Sequence, residues 1–346
     1  MPVEKWYDGK YYNKCSLMQT ENDESEWYWG IENASITIHT PSPSLLNALS
    51  GRSSLSASEQ VTLIEKNDHL DSIDKEIVAR IAASGLLTKK QLTDYLKLCG
   101  LIPIYWDPLV ESGIMQRRLN NLFTSELIEK VIISYNNGLP YLIAYRITRL
   151  GEKLAHRQGV RIHSGNRYQS KNERMKTGLL DTPAEIMRVI VANNIALRFL
   201  NETNDVKYLD FMSTHYLKGV KTMSGITRNA LTVIKENGQP YFLEIFRRPD
   251  IHDTNREQYE NYIKDKIRRY FYLVQNENFL EKNVHNLKTI PKLVIVAEDP
   301  SHLDELEKML TPIVELLRVD ERAEVIFITD YGVCTGKIYN PQFFDE

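Results

Sequence analysis

Cysteine is scarce: Cys15, Cys99 and Cys334 are the only three in 346 residues, far apart and odd in number. That excludes a disulfide framework, and the absence of Cys-x-x-Cys or His-x-x-x-His spacing leaves no zinc site to expect. No apolar run approaches the roughly 20 residues that span a bilayer. The N-terminus is not a secretory signal, so a reducing, cytoplasmic setting is expected. In that setting the sequon Asn33-Ala-Ser35 carries no meaning. Neither charge dominates either: the net charge is −3, so nucleic-acid contacts must come from local patches and not from the whole-molecule field. Gly219 and Gly225 flank Lys221 and Ser224 without forming a phosphate-cradling loop, and none of the eight histidines pairs with Ser or Cys at a nucleophile motif. What is present is 42% apolar content, enough for two globular domains and an extension.

The most legible stretch is 70–159. Ile73, Ile77, Val78 and Ile81 share one face of a helix over Asp71–Ser84. Thr88 and Gln91 form a capping box before a second helix with Leu92, Tyr95 and Leu96 inward. After a loop containing Pro103, Trp106 and Pro108, Ser112 is the expected cap of a third helix, with Met115, Leu119, Leu122 and Phe123 buried. Two β-rich runs, Val131–Tyr135 and Tyr141–Thr148, meet at Asn136-Asn137-Gly138, where Asn-Gly favours a tight hairpin. A helix then closes the segment. Three helices, a hairpin and a helix is the order of a winged helix-turn-helix, which turns one polar helix face to a DNA groove.

On that third helix Gln116, Arg117, Arg118, Asn120 and Asn121 point away from the apolar stripe. Arginine can read guanine and asparagine or glutamine adenine, each through paired hydrogen bonds. Lys89 and Lys90, opening the second helix, suit phosphate contacts. The wing tip carries no cation, which leaves Arg146 as the nearest candidate there. The same polar residues would equally serve as the solvated back of an amphipathic helix, and winged helices also dock proteins.

Residues 160–180 are expected to be a basic linker. From 156 to 176, Arg157, Arg161, Arg167, Lys171, Arg174 and Lys176 stand against Glu173 alone. It can grip phosphates or act as a solvated tether. Residues 1–69 are expected to be an arm. Trp6, Tyr7, Tyr11 and Tyr12 interleave with lysines, a short β-like run covers Ala34–His39, and Thr40–Ser58 is a Ser/Pro linker. Such aromatics stack on single-stranded bases or dock an arm on its own domain.

From 181 to 346 the chain alternates. Thr182-Pro-Ala-Glu185 opens a nearly all-apolar helix, three β-rich stretches follow, and Asn237-Gly238 joins the last two. An amphipathic helix after Thr254 turns Tyr259, Tyr262, Ile263, Ile267, Tyr270, Phe271 and Val274 inward, and its basic residues Lys264, Lys266, Arg268 and Arg269 form a solvated or DNA-touching face. Strand, helix and strand complete an α/β (α+β) fold with a mixed sheet.

This order resembles the PD-(D/E)XK nuclease-like superfamily, whose acids hold Mg²⁺ while a strand lysine helps activate water. The resemblance puts Asn229 where an aspartate belongs, Glu244 at the acid of the triplet and Phe246 at the lysine, with Glu185 as an accessory acid that also serves as a cap. Asparagine is a poorer ligand for a hard cation, and phenylalanine cannot move a proton. The expectation is a nuclease-like fold without catalysis, metal or cofactor.

A winged helix followed by such a domain, with Tyr-Phe-Leu-Glu-Ile in a strand, is similar to the replication-relaxation family of plasmids, phages and integrative conjugative elements. The resemblance implies a DNA-binding accessory protein in replication or mobilisation. Its partners would be double-stranded DNA and a relaxase, replication protein or coupling ATPase, with homodimerisation open. Two alternatives stand beside it: a Mg²⁺-dependent endonuclease using Glu244 with Asp210 or Asp250, and a scaffold whose winged helix binds protein.

Overall fold

Reciprocal hydrogen bonds between side chain and backbone open the first helices. Ser56 and Glu59 exchange bonds of 2.8 and 3.3 Å at the start of α1 (Ala57–Asn67). Asp71 and Asp74 do the same for α2 (Ser72–Ser84), and Thr88 and Gln91 for α3 (Lys89–Leu98). Gly85, at φ 79°, ends α2 and returns its N–H to the Ile81 carbonyl, a backbone conformation that glycine adopts without a Cβ penalty. The computed structural model describes residues 18–19, 27–28, 35–41, 55–67, 70–105, 107–134, 140–160, 162, 168, 186, 188–195, 197, 209–213, 230–236, 239–246, 256–275, 290, 292–297, 300–317 and 324–329.

The third helix departs from expectation. Helix α4 (Pro108–Thr124) is capped by Asp107, which accepts the Leu109 and Val110 N–H groups at 2.9 and 3.2 Å. Pro108 takes the first helical position, where its missing N–H costs nothing. Ser112, expected as the cap, therefore lies inside the helix. Met115, Leu119 and Leu122 are fully buried, whereas Phe123 is half-buried.

Strands β1 (Met18–Gln19) and β2 (Trp27–Tyr28) form a short antiparallel pair. Strands β3 (Ser35–His39), β4 (Leu87–Thr88), β5 (Ile128–Ser134) and β6 (Pro140–Ile147) form an antiparallel sheet in the order β3-β5-β6-β4. The connection at Asn136-Asn137-Gly138 lies outside the described residues. Helix α5 (Arg149–Arg157), capped by Thr148, packs on α1 and α2.

The chain divides into two compact units: Ala34–Pro183, and Met1–Asn33 together with Ala184–Glu346. The boundaries expected at 69 and 160 differ from this. β3 pairs with β5, and α1 buries Val61 and Ile64, so the second half of the expected arm belongs to the first compact sheet-and-helix body. Ile162 is buried, and the Tyr168 N–H donates to Glu152 at 2.9 Å, so part of the expected linker is docked. Arg157 lies in α5, and the other basic linker residues and Trp6, Tyr7, Tyr11 and Tyr12 fall outside the described residues.

In the second unit a helix α6, described over 188–195, precedes β7 (Leu209–Ser213), β8 (Ala230–Glu236) and β9 (Gln239–Ile245). Then come α7 (Arg256–Gln275), β10 (Lys292–Ala297), α8 (Pro300–Leu317) and β11 (Val325–Thr329). The sheet order is β11-β10-β9-β8-β7, antiparallel among β7, β8 and β9 and parallel from β9 to β11. This is the mixed sheet the alternation implied. β10 is apolar at consecutive positions because both of its faces are covered: Val294 and Val296 are as buried as Leu293 and Ile295. Phe242, Phe246, Ile263, Ile267, Phe271 and Leu306 belong to one core cluster. Tyr262, expected inward, is 40% exposed.

Candidate nucleic-acid interface

Helix α4 presents two different outward surfaces along its length. Its second half exposes Arg117, Asn120 and Asn121, with Gln116 half-buried beside them. Arg117 makes no hydrogen bond or ion pair with any described residue. Asn120 Oδ1 accepts from Gln116 Nε2 and from Lys130 Nζ, each at 3.2 Å. Both lone pairs of that oxygen are thus engaged, and the amide offers its N–H donors outward. It suits a guanine or thymine oxygen better than the paired contact to adenine. Lys130, on β5, lies 4.6 Å from the Phe123 ring centroid and brings a cation to the same face that sequence reasoning did not single out. Its signal was the alternation of β5, which places Lys130 between the buried positions Glu129 and Val131.

The first half of α4 is apolar outward. Leu109 is 84% exposed and Val110 55%, and the preceding loop exposes Ile104 and Tyr105.

Two of the expected DNA contacts are committed elsewhere. Arg118 forks onto the capping box of α2, with Nη1 to Asp74 at 2.7 Å and Nη2 to Asp71 at 2.8 Å. One residue is about 100° around a helix, so Arg118 faces α2 where Arg117 faces outward. Burial of Asp71 works against its charge, but Arg118 and the Asp74 N–H bring its pKa below the ordinary value. Arg146 is buried on β6 and paired with the buried Glu129 directly across from it on β5. It is a core ion pair and no wing contact.

Lysines at the start of α3 also have intramolecular partners. Lys89 Nζ donates to Ser112 Oγ at 2.9 Å, tying α3 to α4, and Lys90 pairs with Asp94 one turn on. The charge of Lys90 is balanced there, whereas Ser112 leaves that of Lys89 unneutralised. Arg117 and Lys130, like Lys89, have no acidic partner among the described residues.

In the second unit, Glu244 lies on β9 between Phe242 and Phe246 on the face toward α7. Lys266 of α7, expected on a solvated basic face, instead reaches Glu244 at 2.6 Å, and both residues are buried. Burial opposes the charge of Lys266, but Glu244, Tyr262 and the direct hydrogen bond outweigh it and raise the pKa. A lysine that holds its proton this firmly is an ion-pair partner and a poor base. Arg188 of α6 donates to the Ile245 carbonyl at 3.2 Å beside the pair. Phe246 is fully buried. Glu185, Asn229 and Asp250 lie outside the described residues, and Asp210 is placed only as a position on β7 opposite Val233.

No family model, curated protein or solved structure matches the chain. Among the described residues no group of three or more His, Cys, Asp or Glu could hold a metal ion, and no helix is long and apolar enough to cross a membrane.

Proposed function

We propose that the unit Ala34–Pro183 is a winged helix that binds duplex DNA through the second half of α4. The observation that carries this is the outward group Arg117, Asn120 and Asn121 with Lys130 beside it, unopposed by any acid among the described residues. The order helix, short strand, helix, helix, hairpin, with β4 closing on β6, supports the fold assignment. The unit holding Ala184–Glu346 is on this view a nuclease-like domain used for docking or dimerisation, since Glu244 is neutralised by Lys266 and Phe246 fills the space beside it. The architecture fits an accessory protein of the replication-relaxation type, working with a relaxase, replication protein or coupling ATPase of a mobile element.

The test is a shift assay of the full chain on a duplex library, with and without EDTA. Arg117→Ala should cost roughly 1–3 kcal/mol on a preferred site and relax base preference. Lys130→Ala should weaken all sequences alike and lower the salt slope by about one unit. Unchanged binding in both variants rejects the interface. A second reading, a protein-docking winged helix, is favoured by the exposed Ile104, Tyr105, Leu109 and Val110. It predicts no duplex binding at all by the intact chain.

A further inference from the structure

We propose that the cavity between α1 and α5 is a phosphoryl-binding site. Its volume is about 670 Å³, and it is bounded by residues 56–58 at the start of α1, by one face of α5 and by Tyr168. Three cationic or protonatable side chains enter it from α5: Arg149, Lys153 and His156. Their spacing of four and three residues puts them in one stripe, while Leu150, Leu154 and Ala155 occupy the buried side.

Charge gives the cavity its ligand class. Arg149 and Lys153 are exposed and make no hydrogen bond or ion pair with any described residue. Glu152, the acid in the lining, is turned to partners of its own: the Tyr168 N–H at 2.9 Å and His156 Nε2 at 3.5 Å. Two uncommitted cations therefore face a space whose acid is already engaged. A guanidinium and an ammonium lining one cavity match the several acceptor oxygens of a phosphate ester.

The cavity is also held open by design of its walls. Arg157, one residue beyond the stripe, clamps α5 to α1 through Glu65 at 2.9 Å, the Ser58 carbonyl at 2.5 Å, Ser58 Oγ at 2.7 Å and Thr62 Oγ1 at 2.9 Å. The opposing walls are thereby fixed before any ligand arrives, which lowers the ordering cost of binding. The volume is in the range of small-molecule pockets and exceeds what a bare phosphate fills. None of the lining residues belongs to α4 or to the β5–β6 hairpin, so this site and the proposed reading face stand or fall separately.

The phosphoryl group can come from a free phosphate ester or from a nucleic-acid backbone, and one experiment separates the sources. The full chain is titrated calorimetrically with pyrophosphate and with adenosine 5′-monophosphate, and adenosine serves as the uncharged control. The double variant Arg149→Ala/Lys153→Ala is titrated in parallel, and both proteins are measured on duplex DNA across salt. For a free ester, saturable binding of the phosphorylated probes but not of adenosine is expected, weakened at least about tenfold in the double variant by loss of two charge-assisted bonds. The conservative pair Arg149→Lys/Lys153→Arg should restore most of it. For a backbone phosphate, the small probes give no heat, and the double variant lowers duplex affinity and salt slope while base preference stays intact. If small probes and duplex alike fail to distinguish the double variant from the parent, the proposal is overturned. Both side chains are exposed, so thermal unfolding of the double variant should match the parent and confirm that a negative result is not misfolding.

Discussion

Arg146→Ala separates a structural arginine from a DNA-reading one. The Glu129 side chain is 1% exposed and that of Arg146 10%, and the two meet across the β5–β6 ladder, with Thr40 Oγ1 a further donor at 3.4 Å. Removing the guanidinium strands a buried carboxylate, a change that costs about 3–5 kcal/mol. For a unit of about 150 residues this is a fall in Tm of roughly 6–20 °C. The deficit should depend on pH with a definite sign. Burial is the largest influence on Glu129 and raises its pKa, with Arg146 and Thr40 opposing it. A folded pKa above the unfolded one gives a contribution fully present below the unfolded carboxylate value, about 4.3, and lost as pH rises through the folded value. Without Arg146 the folded pKa climbs further, so the variant should be weakest near neutrality and should recover as acid protonates Glu129. Arg146 Nη2 finds no hydrogen-bond partner among the described residues, so the pair is incompletely satisfied. Replacing both partners, as Glu129→Leu/Arg146→Met, should therefore return most of the lost stability. The assay is thermal unfolding by circular dichroism at about pH 7.5 and about pH 5, with duplex binding measured well below the Tm. A Tm within about 2 °C of the parent at both pH values, together with lost DNA affinity, refutes the core-pair argument and returns Arg146 to the wing.

Gly151→Ala should destabilise the first unit by about 3 kcal/mol or more, read as a lower denaturant midpoint, because the new Cβ would lie 2.0 Å from the Leu127 carbonyl oxygen. Arg118→Ala should cost only about 1 kcal/mol in the same assay, since its fork to Asp71 and Asp74 is partly solvated, and should leave base preference unchanged. Lys266→Ala should cost about 3–5 kcal/mol by stranding Glu244 in the second unit, visible as an earlier unfolding transition. The unmodified chain should leave supercoiled DNA uncut in Mg²⁺ or Mn²⁺. Cleavage that disappears in Glu244→Ala would promote the endonuclease alternative.

Local signals were legible wherever a few neighbouring residues suffice. The capping box at Thr88, the amphipathic stripes of α2 and α3 and the consecutive apolar residues of β10 each follow from contacts within one element or from burial on both faces. Two further local signals were present and passed over. Ser56 with Glu59 is a capping box ahead of Val61 and Ile64, and Asp107-Pro108 is a stronger helix start than Ser112. The exposed direction of Arg117, Asn120 and Asn121 was likewise readable from helical periodicity.

Commitments between distant parts of the chain were another matter. Arg118 finds Asp71 and Asp74 more than forty positions away, Arg146 finds Glu129 through hairpin register, and Lys266 finds Glu244 through the packing of α7 on β9. Each cation looks like a surface charge in the sequence, because composition and periodicity do not record which acid a distant element brings beside it. The pairing of β3 with β5 joins segments some ninety residues apart, and the cavity between α1 and α5 lies between helices that Arg157 ties together across a comparable separation. Periodicity and caps are properties of one element and survive in the amino-acid order. Ion-pair partners, sheet neighbours and cavities depend on which elements meet, and only the tertiary structure decides that.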